Sequence, residues 1–310
     1  MPAIPGCFMA ITPNMRGALL MSLSMAGFTF NDSIVKSLTG DISVAQVMFL
    51  RGVVATLLIF LLARHRGALR PLRVLLDPWI GLRVAGEIGG TLTFLVGLSH
   101  IPLANASAIL QALPLAVTMG AALFLNEPVG WRRWGAILAG FVGVLIIVRP
   151  GIEGFSPYAL MIVGTVLFAA ARDIATRKIN SAIPSLFLST ITAAAVTIAG
   201  LALILPMGGW KPVSTPQLGL ISLAACLVLI GYQCIIMAMR EGEISFIAPF
   251  RYTGFLWALL LGMVVFGEYP DVYMISGGII VIGSGLYTLY REQIKSTAKP
   301  ASRASTRHAP

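Results

Sequence analysis

Apolar residues run along this chain in blocks of about twenty, separated by short breaks that carry Arg, Pro or Gly. A block of that length, wound as a helix, matches the roughly 30 Å hydrocarbon thickness of a bilayer. The breaks predict ten spans, near 17–37, 44–63, 80–99, 105–125, 132–149, 156–176, 184–205, 216–239, 244–266 and 271–290. Residues 135–148 are apolar on every helical face, unlike a helix on the surface of a water-soluble domain. A transmembrane barrel would instead alternate polar and apolar positions in segments of about ten residues. The pattern predicts an all-α integral membrane protein.

Composition sharpens this. Hydrophobic residues make up 57% of the 310 and charged residues 11%, with a mean hydropathy of +0.88. A soluble domain carries roughly a quarter charged residues. The net charge of +10 is explained by topology. An even number of spans puts both ends on one side. The loops and ends on that side carry Arg16, Arg64, Arg66, Arg70, Arg73, Arg132, Arg133, Arg177, Lys178 and Arg240, with five more in the tail from Arg291 to Arg307. The opposite side carries only Arg149 and Lys211. By the positive-inside rule both termini are expected in the cytoplasm, with the chain in the cytoplasmic (inner) membrane. Basic residues spread over loops point to anionic membrane lipid rather than to nucleic acid, which would need a recognition fold or stacking platform. Residues 291–310 read as a disordered basic tail, and Met1–Met15 shows no signal-peptide pattern. Cys7, Cys226 and Cys234 lack metal or redox spacing, and His65, His100 and His308 are too scattered for a zinc site or a triad. The sequence asks for no cofactor.

The charges expose an internal repeat. Asp32 and Lys36 recur 141 residues later as Asp173 and Arg177, and the same offset carries Glu127 onto Glu268. One inserted residue later, Gly135 and Gly143 fall on Gly277 and Gly285. The chain reads as two five-span halves, 17–149 and 156–290. Because five is odd, the second half enters the membrane from the other side, giving two inverted five-helix repeats. Such repeats suit a protein that presents one site alternately to two compartments; duplication kept only for packing is the plain alternative.

At these residues the chain resembles the EamA-type drug/metabolite transporter (DMT) superfamily. The resemblance is carried by Leu98-Ser99-His100-Ile101-Pro102-Leu103-Ala104, Ala112-Leu113-Pro114-Leu115, Asn126-Glu127-Pro128 and Gly140-Phe141-Val142-Gly143. In the second half it is carried by Ala248-Pro249-Phe250-Arg251-Tyr252, Phe266-Gly267-Glu268 and Gly283-Ser284-Gly285. It covers about residues 15–291. The halves depart from each other in one respect: Pro114 has Phe255 as its repeat partner, while the second half's proline sits earlier, at Pro249. The resemblance implies a transporter with two five-helix halves and cargo ranging over vitamins, S-adenosylmethionine, amino acids and drugs.

Ionisable side chains inside spans are costly and need partners, water or a function. Asp32 with Lys36, and Asp173 with Arg177, are i,i+4 pairs that can neutralise themselves. They read either as symmetry-related gates at opposite membrane faces or as ordinary ion pairs with snorkelling bases. Arg83 and Glu87 form a third such pair. Burial of a carboxylate favours its protonated form, so Glu87 is a candidate for coupling to protons, with a structural pair to Arg83 as the alternative. Arg51 and Arg251 have no carboxylate one turn away. They are candidates for binding a carboxylate, phosphate or heterocycle carbonyl, or for capping backbone carbonyls freed by Pro114 or Pro249. Gln111, Gln233, Tyr252 and Trp257 complete the candidate substrate-binding set. Glu127 and Glu268, next to prolines at span ends, read as structural residues that begin the following helices.

The expected function is secondary transport of a small organic metabolite by alternating access, with no P-loop for nucleotide. The arginines and span-9 aromatics favour a heterocyclic nutrient such as a riboflavin-like vitamin or S-adenosylmethionine. The alternatives are an amino-acid or drug exporter of the same fold, a membrane-embedded transferase, for which no nucleophile or metal set is visible, and a non-transporting receptor. A homodimer is compatible with the sequence.

Overall fold

A computed structural model describes residues 12–151, 155–180, 182–241 and 243–297. Cys7, most of Met1–Met15, and the tail from 298 onward lie outside the described residues. Ten helices are long and apolar enough to cross a membrane, and no strand occurs among the described residues. They are α1 (Pro13–Leu38), α2 (Val44–His65), α3 (Pro78–Leu98), α4 (Leu103–Phe124), α5 (Trp131–Val148), α6 (Pro157–Lys178), α7 (Ser185–Leu203), α8 (Thr215–Glu241), α9 (Ala248–Phe266) and α10 (Val272–Thr297). The helix of α10 runs past 291, where the unstructured tail was expected to begin.

Local chemistry sets the helix starts. Thr12 caps α1 by accepting from the Met15 N–H at 3.3 Å, and Asp77 caps α3 by accepting from the Trp79 N–H at 2.9 Å. Each is followed by a proline at the first helical position, where the missing N–H costs nothing. Helices α4 and α9 are interrupted. In α4 the N–H of Gln111 is shared between the carbonyls of Ser107 and Ala108, and Ala112 bonds back to Ile109, so the turn before Pro114 tightens. In α9 a 3₁₀ turn, Ala248–Tyr252, occupies the corresponding place. The prolines differ in position between the halves, yet both helices break at repeat-equivalent residues.

The halves interlock. α1 packs on α8, α3 on α6, α2 on α7, α5 on α10 and α4 on α9. Exchanging the halves turns the α1–α8 pair into α6–α3 and each of the other three pairs into itself, as a pseudo-two-fold axis requires. Individual residues obey the same operation. A Cβ on Gly86 would lie 2.9 Å from the Phe168 carbonyl, and one on Gly27 would lie 3.2 Å from the Leu227 carbonyl. Gly27 is the repeat partner of Phe168, and Gly86 of Leu227. Where α5 meets α10, a Cβ on Gly143 would fall 2.8 Å from the Gly277 carbonyl, and one on Gly277 would fall 2.6 Å from the Gly143 carbonyl. Small residues at these crossings let backbones approach without a hydrophobic driving force between helices. Leu138, Leu145, Ile198 and Val264 are exposed on the outside of the bundle, as lipid contact demands.

Gly277→Ala therefore forces α5 and α10 apart and costs about 1–3 kcal/mol. Gly135→Ala, with open space around its Cβ, does not. Thermal unfolding of the purified protein in detergent separates the two; equal melting temperatures would refute the close crossing.

Candidate functional site

Each of the three expected i,i+4 pairs has exchanged its partner for one on the other half. Lys36 bonds Glu268 at 2.6 Å, not Asp32, and also donates to the Ile101 carbonyl. Arg177 bonds Glu127 at 2.9 Å, not Asp173. Glu87 bonds Arg172 at 3.2 Å, not Arg83, which donates instead to the Thr176 hydroxyl. The physical reasons are local. In the first two pairs the acid is the short Asp, while a longer Glu reaches the base from across the bundle. In the third the base precedes the acid, the weaker orientation for an i,i+4 pair.

The Lys36–Glu268 and Arg177–Glu127 bonds are one motif seen twice, because Lys36 corresponds to Arg177 and Glu268 to Glu127. Each joins the acid of one half to the base of the other, at opposite ends of the bundle. Both glutamates follow a residue in left-handed conformation, Asn126 with φ 53° and Gly267 with φ 64°. The next N–H, that of the glutamate, reaches back to Ala121 or Gly262 respectively. This turn ends the helix and presents the carboxylate. Glu268 also accepts from the Leu103 N–H at 2.8 Å, so it caps α4 rather than beginning its own next helix. Besides the structural role expected for the two glutamates, which Glu268 fills at the start of α4, each makes an ion pair to the other half. Their repetition, together with that of Lys36 and Arg177, was the signal for it.

The two ends are not alike. The side chains of Lys36 and Glu268 are 12% and 20% exposed, those of Arg177 and Glu127 51% and 50%. Around the first bond, Leu38, Ile42, Val47 and Ile221 pack with Val35, Met48 and Leu95 into a tightly buried cluster. Their repeat partners Ile179, Ile183, Leu188 and Ile80 form a smaller cluster at the other end. The Lys36 end is closed more completely than the Arg177 end.

Between the ends runs a polar seam of half-buried side chains. Asn31, buried, accepts from Arg51 at 3.2 Å and donates to Asp32 at 2.8 Å. Its repeat partner is Arg172, which donates to Asp173 at 2.9 Å and to Glu87. Tyr232, itself exposed, stands edge-on to Phe28 at the margin of the seam, ring centroids 5.1 Å apart. Asn31, Arg172 and Tyr232 were not among the expected site residues. Asn31 and Arg172 flank the two aspartates in the repeat, a visible signal; nothing in the sequence marked Tyr232.

The remaining expected residues divide. The Gln111 amide, at the break in α4, lies 3.8 Å from where a Cβ of Gly254 would stand, beside Met25 of α1. Tyr252 is buried with its hydroxyl against Gly285 and no hydrogen-bond partner among the described residues. Trp257 meets Phe30 at 6.2 Å. Gln233 and Arg251 are exposed and make no hydrogen bond among the described residues. None of these five makes a hydrogen bond or ion pair with the seam residues among the described residues. An open hollow of about 420 Å³ beside Thr12 and Glu241, and an apolar groove of about 350 Å³ between α2 and α7, also lie away from it.

Ten membrane-length helices, paired across a pseudo-two-fold around an ionised interior, define a multi-pass membrane transporter. The profile of the EamA-like transporter family matches residues 15–149 and again 156–290, and the chain belongs to that family. It is 27% identical over 275 residues to the pseudopaline exporter of Pseudomonas aeruginosa, covering 86% of this chain and 93% of that one. It is likewise 27% identical over 276 residues to the S-adenosylmethionine uptake transporter of Rickettsia bellii, covering 87% and 92%. To the riboflavin transporter of Vibrio cholerae it is 27% identical over 286 residues, covering 91% and 95%. A solved crystal structure superposes with a TM-score of 0.61 at 18% identity, over 94% of this chain and all of that one, which establishes the fold alone. The family and these relatives are transporters, so the chain is a metabolite transporter and not an enzyme.

The exchanged partners are measurable. In a double-mutant cycle on thermal stability, Glu87→Gln and Arg172→Gln couple by at least about 1 kcal/mol, while Glu87→Gln and Arg83→Gln couple by less than half of that. The reverse ranking would restore the i,i+4 pair.

Proposed function

We propose that the chain is a secondary transporter of the cytoplasmic (inner) membrane, with both termini in the cytoplasm. It moves a small organic metabolite by alternating access, and the Lys36–Glu268 and Glu127–Arg177 bonds are its two gates. The observation that carries this reading is the unequal burial of one repeated bond at the two ends of the bundle. Inverted halves that exchange conformations would exchange these environments, so the end now tightly packed would loosen as the other closes. In the expected orientation the Lys36 end faces outward, and the present state is closed to the outside.

The polar seam around Asp32, Arg51 and Tyr232, with Gln111 beside it, is the place for the cargo. Glu87 and Asp173, both held by Arg172, serve the architecture of that seam rather than the exchange of protons. The relatives support a heterocyclic nutrient of the riboflavin or S-adenosylmethionine kind. The likeness to a pseudopaline exporter supports export of an amino-acid-like or drug-like solute by the same fold as the second reading.

The test of the gates uses a cysteine-free background in proteoliposomes, with labelled riboflavin, S-adenosylmethionine and amino acids offered with and without a proton gradient. Lys36→Cys with Glu268→Cys, and separately Glu127→Cys with Arg177→Cys, are oxidised to disulfides. Either cross-link is expected to cut transport at least tenfold, with recovery on reduction. Full transport with either cross-link formed would remove that pair as a gate.

A further inference from the structure

Five of the ionised contacts in the bundle join opposite charges directly: Lys36 to Glu268, Arg177 to Glu127, Arg149 to Asp271, and Arg172 to both Glu87 and Asp173. Asp32 and Arg51 are different. They lie next to each other within spans, both half-buried, and no salt bridge joins either to any described residue. Each is tied only to the Asn31 amide, Arg51 to its oxygen and Asp32 to its nitrogen. Asn31 is 3% exposed and its amide is used at both ends, so it holds the cation and the anion one amide apart. In a low-dielectric interior a free guanidinium and a free carboxylate gain most by meeting. A residue that keeps them apart leaves two complementary charges open, with most of the guanidinium donors and carboxylate lone pairs unused.

The second half shows what can close such a position. There Asn31 is replaced by Arg172, whose Nε and a terminal nitrogen both lie 2.9 Å from Asp173, while Arg51 is replaced by Thr192. A built-in guanidinium occupies the aspartate on that side; on the first side the aspartate awaits a cation from elsewhere. Resting on the transporter reading above, we propose that Asp32, Asn31 and Arg51 form a clamp for an amphoteric solute. Its carboxylate lies on the Arg51 fork and its ammonium, or another organic cation, lies on Asp32. An α-amino-carboxylate carries its two charges about one amide width apart and satisfies both arms at once. Phe28, one helical turn before Asp32 and packed edge-on against Tyr232, supplies an aromatic surface for the rest of the molecule.

The experiment measures counterflow and thermal stabilisation of the full-length protein with matched probes. These are the standard L-amino acids and S-adenosylmethionine, which carry both charges, and N-acetylmethionine, methionine methyl ester, 5′-methylthioadenosine and riboflavin, which do not. At least one amphoteric probe is expected to be carried, and removal of either of its charges weakens it at least tenfold. Asp32→Asn should lose the preference for the free amine over the acetylated form, and Arg51→Gln the preference for the acid over the ester. Asp32→Glu and Arg51→Lys keep the charges and provide folded comparisons if the neutral variants fail to insert. Transport of riboflavin or 5′-methylthioadenosine alone, or preferences unchanged in the neutral variants, would overturn the clamp and leave the transporter standing. Movement of none of the probes would overturn the clamp, while the assignment as a transporter rests on the family.

Discussion

The hydrocarbon core of a bilayer supplies no hydrogen bonds and screens no charge, and everything in this protein answers to that constraint. It confines the chain to helices, it makes small residues rather than apolar bulk the means of helix contact, and it favours partners inside the bundle for the charges within the spans. The consequence for the charges is the most specific. Lys36, Arg177 and Arg172 take partners from the opposite half, so the ionic bonds that satisfy them also tie the halves together.

The proposed gating rests on that tie. Two bonds with the same chemistry stand at opposite ends, each presented by the same left-handed turn, yet one is sheltered and the other is open to solvent. The apolar clusters beside them differ in the same sense. A symmetric sequence pattern in an asymmetric environment means that the two ends need not be closed together. The broken helices α4 and α9 pack on each other, and the Gln111 amide at the break of one lies beside Gly254 of the other. Membership of the EamA-like family and likeness to named exporters and uptake proteins fit a scaffold whose symmetry permits either direction of movement.

The seam itself departs from symmetry. Arg172 neutralises its own half, whereas Asn31 in the other half separates Asp32 from Arg51. The proposed cargo clamp thus falls where the two repeats have diverged, and the proposed gates fall where they have not. The side chains that were attractive by type alone behave otherwise: Gln233 and Arg251 are exposed without partners among the described residues, and Tyr252 is spent on the contact of α9 with α10.

Spans, repeat and family were legible in the sequence because they depend on one-dimensional quantities: the length of apolar blocks, the parity of their number and the offset between recurring residues. The ten helices begin and end within a few residues of the expected bounds for that reason. The ionic partners were not legible, because spacing along a helix shows which residues share a face and not which side chain from another helix reaches that face first. Asp32 and Lys36 share a face, yet a glutamate 232 residues away along the chain takes the lysine. Only the tertiary structure decided that exchange, and with it which aspartate was left open, since both follow from the crossing of helices contributed by different halves.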